Sequence, residues 1–210
     1  MLRFEKLRKT YGGKVVFSDL KHRFDAGCYV LRAPNGEGKS TLLRTLAGVE
    51  KFDEGRVWIA GASLETEPIR AKSRLGYIPD ACAVYPFLTG RQFFELVATS
   101  KRSGLDQKVA ALISSLLLEP HVDQRFDRMS LGMQKKFLCV AGFVGEPAVV
   151  IADEPDNGLD DASRGVLVEH FRSVASRSVV LFSTHDGDFA DACGASLVRI
   201  PFGAREGAGP

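Results

Sequence analysis

With 210 residues and 45% apolar side chains, the chain can bury one sizeable core and reads as one domain over residues 1–210. A net charge of +2 gives no bulk basic surface, so no nucleic-acid partner is expected. No run reaches the roughly 18 consecutive apolar residues of a membrane-spanning helix, and Met1-Leu2-Arg3-Phe4-Glu5 is charged too early for a signal peptide. Cys28, Cys82, Cys139 and Cys193 are widely spaced in mostly apolar settings, which predicts reduced, buried thiols in the cytoplasm and neither a disulfide framework nor a zinc site.

Leu2, Phe4 and Lys6 to Leu7 predict an opening strand turned at Tyr11-Gly12-Gly13-Lys14. A second extended stretch runs from Val15-Val16-Phe17 toward Phe24 and turns at Asp25-Ala26-Gly27. The apolar run Tyr29-Val30-Leu31 predicts a short strand. It leads into Ala33-Pro34-Asn35-Gly36-Glu37-Gly38-Lys39-Ser40-Thr41 and then a helix from Leu42 to Ala47, closed by Gly48. Strand, glycine-rich loop and helix in that order form a phosphate-binding loop. Its candidate nucleotide contacts are Asn35, Gly36, Glu37, Gly38, Lys39, Ser40 and Thr41. The glycines let backbone N–H groups face inward and the helix start adds its positive end, while Lys39 reaches the β- and γ-phosphates and Ser40 holds Mg²⁺. Position 33 is alanine where that pattern has its first glycine, and alanine fits only with a negative φ or little strain.

Gly55 to Ile59 and Leu75 to Ile78 are the next strands. From Leu88 to about Val144 the apolar spacing turns helical, through Phe93-Phe94, Val97, Val109, Leu112-Ile113 and Leu116-Leu117. That segment predicts a helical subdomain over residues 88–144 inserted into the core. Within it Ser130 is a good N-cap for Leu131-Gly132-Met133-Gln134, and the free N–H groups of that helix start are a second candidate anion site. Ala148 to Ala152 and Ser178 to Phe182 are continuous apolar runs, suited to central parallel strands covered on both faces. The first ends in Asp153-Glu154, where open α/β sheets bind ligands: Asp153 is placed for the Mg²⁺ shell beside Ser40 and Glu154 for the water attacking the γ-phosphate. His185 follows the second and is placed to hold that water or the γ-phosphate, or to serve structure alone. Tyr11 offers a ring face to adenine, or is simply an exposed turn aromatic. His22, His121 and His170 show no ligand spacing, and Gly203 to Pro210 carry no apolar pattern and read as a loose tail.

Taken together, these motifs resemble the ATP-binding subunit of an ABC transporter, and the likeness runs over essentially the whole length. The family's phosphate loop falls on Gly36, Gly38, Lys39, Ser40 and Thr41. Its signature falls on Ser130-Leu131-Gly132-Met133-Gln134, its second acidic motif on Asp153-Glu154, its D-loop on Gly158-Leu159-Asp160 and its switch histidine on His185. The resemblance implies a P-loop NTPase of ABC type: a mostly parallel core sheet, an antiparallel β subdomain and an inserted helical subdomain. It implies ATP and Mg²⁺ as cofactors, Glu154 and His185 as catalytic residues, and Ser40, Asp80 and Asp153 on the metal side. Tyr11 becomes the nucleotide-stacking aromatic, and Ser130, Leu131, Gly132 and Met133 grip the γ-phosphate of a partner subunit, while Asp160 orders the subunit contact. The implied partners are a second ATP-binding subunit, identical or homologous, and integral membrane subunits. The implied location is the cytoplasmic face of the membrane.

Ser-Leu-Gly-Met, with Asn157-Gly158-Leu159-Asp160 downstream, is similar to exporter-type members that drive separate membrane subunits. Three positions depart from the family's pattern: Ala33, Asp80 in place of glutamine, and Asp156 in place of threonine. Asp80 is a third carboxylate near the triphosphate, and it needs Mg²⁺ or another cation for compensation, or else faces solvent. Other functions built on this machinery are assembly or remodelling of a non-transport complex and ATP binding with weak turnover. No heptad run supports the coiled-coil arms of a chromosome or repair ATPase, one cassette is expected where translation-associated members carry two, and no regulatory domain is expected beyond Gly203.

Overall fold

The structure is a computed structural model that describes residues 1–34 and 36–202. Asn35 and the expected tail from Gly203 to Pro210 lie outside the described residues. The chain opens with β1 (Leu2–Tyr11), β2 (Lys14–Phe24) and β3 (Gly27–Leu31), then α1 (Lys39–Leu46), β4 (Glu54–Ile59), β5 (Ala62–Ser63), α2 (Pro68–Ser73) and β6 (Leu75–Ile78). There follow α3 (Gly90–Ser100), α4 (Gln107–Ser115) and α5 (Leu131–Ala141), and then β7 (Val149–Ala152), α6 (Asp161–Ala175), β8 (Val179–Ser183), α7 (Gly187–Ala192) and β9 (Ser196–Val198).

These elements form two sheets. One is antiparallel, in the order β2-β1-β4-β5. The other is parallel at every pairing, in the order β6-β7-β8-β3-β9. The apolar runs act as their composition predicts, because every residue of β7 and β8 is buried. Successive side chains of a strand point to opposite faces, so the runs divide between two cores. Val150, Ala152, Val180 and Phe182 join the aromatic core built with α3 to α6, and Val149, Ile151, Val179 and Leu181 join the core that includes α1 and the antiparallel sheet. In the first core Phe126 and Phe137 meet edge to face at 5.7 Å, and both are buried. Truncating Phe137 to alanine in such a position costs about 3–5 kcal/mol.

The segment between β6 and β7 is helical with irregular joints, and α4 ends sooner than its apolar spacing suggests. Leu116 caps it, and Leu117 turns to φ 56° and is 74% exposed. Of the four free cysteines three are buried and Cys82 is only partly covered.

His170 on α6 packs its ring edge-on against Phe143, with centroids 4.2 Å apart. Burial, and then the charge of Arg177, lower its pKa to about 4 from an ordinary 6.5. The neutral ring is therefore favoured in the fold, and the unfolded chain takes up the proton first as pH falls from about 6.5 toward 4. Stability is lost across that window, by about 2 kcal/mol at pH 5 from this residue alone. Melting curves of the wild type and His170→Leu at pH 7.5 and pH 5 check it, since the variant should lose less stability between the two.

Candidate functional site

Parallel strands β3, β7 and β8 deliver three loops to one edge of the sheet. The loop after β3 is held open by Gly36 at φ 79° and Gly38 at φ 110°, in the left-handed region that glycine adopts without strain. Gly38 has a second constraint: a Cβ there would lie 2.5 Å from Val16 Cγ1. Ala33 is not among the residues with positive φ, so the alanine sits in the loop without backbone strain. Helices α3 to α7 each begin with a side-chain cap, from Thr89, Asp106, Ser130, Asp160 and Asp186, but α1 begins at Gly38 with none. Its first N–H groups remain available to an anion. Lys39 is 8% exposed and its Nζ donates to Ala33 O at 2.5 Å and Pro34 O at 3.2 Å, which folds the ammonium over the loop.

A cleft of about 750 Å³ lies over this loop, lined by Gly36, Glu37, Gly38, Lys39, Ser40 and Thr41 together with Tyr11, Asp80, Glu154 and His185. Tyr11 stands at its rim, 47% exposed, with Lys9 Nζ 4.7 Å from the ring centroid. Val16 and Phe202 add apolar wall beside it. Sequence reasoning passed over both, since neither carries chemistry of its own.

Below the cleft Asp153 is 3% exposed, and its Oδ1 accepts from Ser40 Oγ at 3.1 Å and from Ser183 Oγ at 2.7 Å. The Ser183 hydroxyl in turn accepts from Glu154 N at 3.1 Å, so it positions both acidic residues. It was missed because a serine at the end of an apolar strand carries no distinctive signal. Glu154 has φ 44°, an unfavourable backbone state for a side chain of its size and a kind of strain found at functional sites. Its Oε2 accepts from His185 N at 3.2 Å, and His185 Nε2 lies 3.3 Å from its Oε1. Burial raises the Glu154 pKa; His185 lowers it, and Asp156 and Asp153 raise it further. Asp80 lies across the cleft, its Oδ1 accepting from Asn157 Nδ2 at 3.4 Å.

Among the described residues no group of three or more His, Cys, Asp or Glu side chains is arranged to hold a metal ion alone. The Ser40 hydroxyl and Asp153 carboxylate are hard oxygen donors of the kind Mg²⁺ takes, with phosphate oxygens and water filling its remaining positions. That donor set fits Mg²⁺ bound together with a nucleotide.

Ser130, Leu131, Gly132 and Met133 do not line this cleft. They start α5, where Ser130 Oγ accepts from Met133 N at 3.2 Å as an ordinary cap, and Leu131 is 80% exposed. A Cβ on Gly132 would lie 2.7 Å from Gly158 O, so the segment abuts the loop after Glu154. Asp160 in that loop is engaged within its own chain: Oδ1 accepts from Ser163 N at 2.8 Å and Oδ2 pairs with Lys136 at 2.8 Å. Lys136 foremost holds the Asp160 carboxyl well below the usual range.

Residues 21–157 match the ABC transporter family. A Nod factor export ATP-binding protein I from Rhizobium etli is 33% identical over 87% of this chain and 59% of its own, and one from Paraburkholderia xenovorans is 32% identical over 88% and 62%. The chain thus spans about 60% of the length of these relatives. A solved ATP-binding subunit of an ABC transporter superimposes with a TM-score of 0.86 at 28% identity, covering 95% of this chain and 85% of that one. A dimeric ATP-binding cassette in a post-hydrolysis state with ADP and phosphate shares the fold, with a TM-score of 0.83 at 20% identity over 95% and 94%. No helix among the described residues is long and apolar enough to cross a membrane. With its phosphate loop, acidic strand end and histidine meeting at one edge of a parallel sheet, the chain belongs to the ABC transporter family and has the fold of its ATP-binding subunits.

Proposed function

We propose that the chain is a single ATP-binding domain, residues 88–144 forming its helical subdomain, that closes with a second cassette around two MgATP and hydrolyses them to power separate membrane subunits. The observation that carries this reading is the separation of the site's parts. The cleft over Lys39 gathers Glu154 and His185, while the helix start at Ser130 to Met133 lies outside it with Leu131 exposed. A head-to-tail pair, of identical or homologous chains, brings that helix start against the γ-phosphate held by its partner's Lys39. Tyr11, Asn35 to Thr41 and Ser130 to Met133 then bind the nucleotide, Ser40, Asp153 and Asp80 face the metal, and Glu154 orients the water beside His185. Bound Mg²⁺ would offset phosphate charge.

Export as the direction is supported by the Nod factor export proteins among the relatives, and the peripheral position at the cytoplasmic face follows from attachment through the membrane subunits. The test is purification from its own cells: MgATP hydrolysis and recovery with a multi-span membrane protein support the proposal. Recovery with a soluble scaffold would point to an assembly ATPase, and a bound but unhydrolysed nucleotide to a module without turnover.

Asp80 carries a further prediction. It lines the cleft and follows β6 in the loop that leads outward to the helical segment, so its charge should be felt by the ion and by the partner. Asp80→Asn and Asp80→Gln should both change the Mg²⁺ concentration needed for activity, the longer glutamine retaining more partner-stimulated turnover. ATPase activity against Mg²⁺, with and without the membrane partner, checks this; superimposable curves for all three forms would make Asp80 a surface residue.

A further inference from the structure

Lys135 stands on α5 and is only 5% exposed, although lysine is among the residues least often buried. Its Nζ donates to Pro79 O at 2.9 Å, Asp80 O at 3.2 Å and Asp153 O at 3.4 Å. An ammonium has three donors, and here each has a backbone acceptor. The acceptors follow two strand ends that part at this point. Strands β6 and β7 are paired up to Ile78 and Ala152, and the last backbone bond beyond them runs from Asp153 N to Ile78 O at 2.8 Å. Past it the Asp80 loop and the Asp153-Glu154 turn diverge, and Lys135 fills the gap between them. Burial lowers the Lys135 pKa, and the nearby carboxylates of Asp80, Asp153 and Asp156 oppose that shift, so the three carbonyl contacts are what hold its Nζ in the gap.

We infer that Lys135 is a positioning residue for ATP hydrolysis, a brace from α5 that fixes the Asp80 loop against the Asp153-Glu154 turn. This rests on the proposed ATPase reading, and it adds a residue that touches neither nucleotide nor water. Three consequences follow from the geometry. Removing the brace frees the backbone that carries Asp153 and Glu154, so turnover falls. The phosphate loop keeps its own contacts, so nucleotide binding without metal does not. And because Lys135 shares a helix with Leu131 to Met133 and their cap Ser130, any shift of that helix start reaches both acidic loops through one side chain.

The experiment compares wild type, Lys135→Met, Lys135→Gln and Lys135→Arg. Methionine keeps the stem without charge or donors, glutamine is neutral with two donors, and arginine keeps the charge. Lys135→Met should lose about 10–100-fold in kcat, the scale on which a small misplacement of reacting groups is felt, with KM changed less than about threefold. ATP affinity in EDTA should stay within about twofold of wild type, and Lys135→Arg should recover most of the lost turnover. Hydrogen exchange of the nucleotide-free proteins supplies a readout independent of activity: peptides covering 76–82 and 150–156 should exchange about tenfold faster in Lys135→Met, while β8 keeps its protection. Unchanged kcat and unchanged exchange in a folded Lys135→Met would overturn the inference, as would a uniform rise in exchange across the chain. If Lys135→Met does not fold, arginine within threefold of wild type and glutamine at least tenfold below it supports the brace, and equal values for the two overturn it. A wild type without ATPase activity would defeat the proposed function instead, and the exchange comparison would still decide the role of Lys135.

Discussion

Glu154→Gln is expected to lower the rate of ATP hydrolysis by about 10²–10³-fold while leaving ATP affinity within about threefold of wild type, because a positioned general base contributes on that scale. The substitution keeps the shape of the side chain and removes its charge and basicity. Both of its carboxylate oxygens are engaged, one beside His185 Nε2 and one accepting from His185 N, so its position is set by the strand end and by the histidine together. Its raised pKa, caused first by burial, matches a group that must take up a proton. The left-handed backbone at Glu154 is the same in the glutamine variant, so any loss reports on the carboxylate and not on a relaxed turn. Phosphate release and nucleotide affinity measured on the same preparation separate the two effects. Unchanged turnover would show that the base lies elsewhere.

Lys39→Ala is expected to have the opposite profile, with ATP affinity reduced about 10²-fold, the equivalent of 2–3 kcal/mol for a charge-assisted contact to phosphate. The side chain is buried along its stem and held over the loop by Ala33 O and Pro34 O, so its ammonium is pre-positioned at the start of α1. Alanine removes that charge and leaves the loop glycines and the uncapped helix start in place. Residual binding should therefore persist, and it should weaken further with salt as the remaining attraction is screened. Affinities at two ionic strengths for wild type and Lys39→Ala check both statements. Equal affinities for the two proteins would remove Lys39 from the site.

What the sequence made legible, and what it did not, follows from the range of the interactions concerned. The phosphate loop, the acidic end of β7 and the histidine after β8 are local patterns with fixed spacing, and each lies at the sheet edge its preceding apolar run predicts. The runs Ala148 to Ala152 and Ser178 to Phe182 were readable as central strands because burial on both faces removes every polar residue but Ser183 from β7 and β8. The two-residue β5 and three-residue β9 were not, since neither is long enough to show a period. Leu117 was misread as part of a helical face because its exposed, left-handed state depends on where α4 stops, which its apolar spacing does not record. Lys135 had a faint signal: with Leu138, Cys139 and Gly142 it falls on one stripe of α5, so a lysine there is either buried or an exception to the pattern. Its partners are three backbone carbonyls, which no residue identity announces. Ser183 is similar, a hydroxyl whose role comes from two acidic residues just past the neighbouring strand.

Sedimentation of Glu154→Gln with and without MgATP shows whether the chain completes its site only against a second cassette. The variant is expected to bind nucleotide with little turnover, so the closed pair should accumulate. A monomer is expected without nucleotide and a dimer with MgATP, reversed by EDTA and abolished by adding Lys39→Ala. A homologous chain supplied by the same cells takes the second position if the partner is not a copy. A strictly monomeric protein with saturating MgATP, even beside its membrane partner, would contradict it.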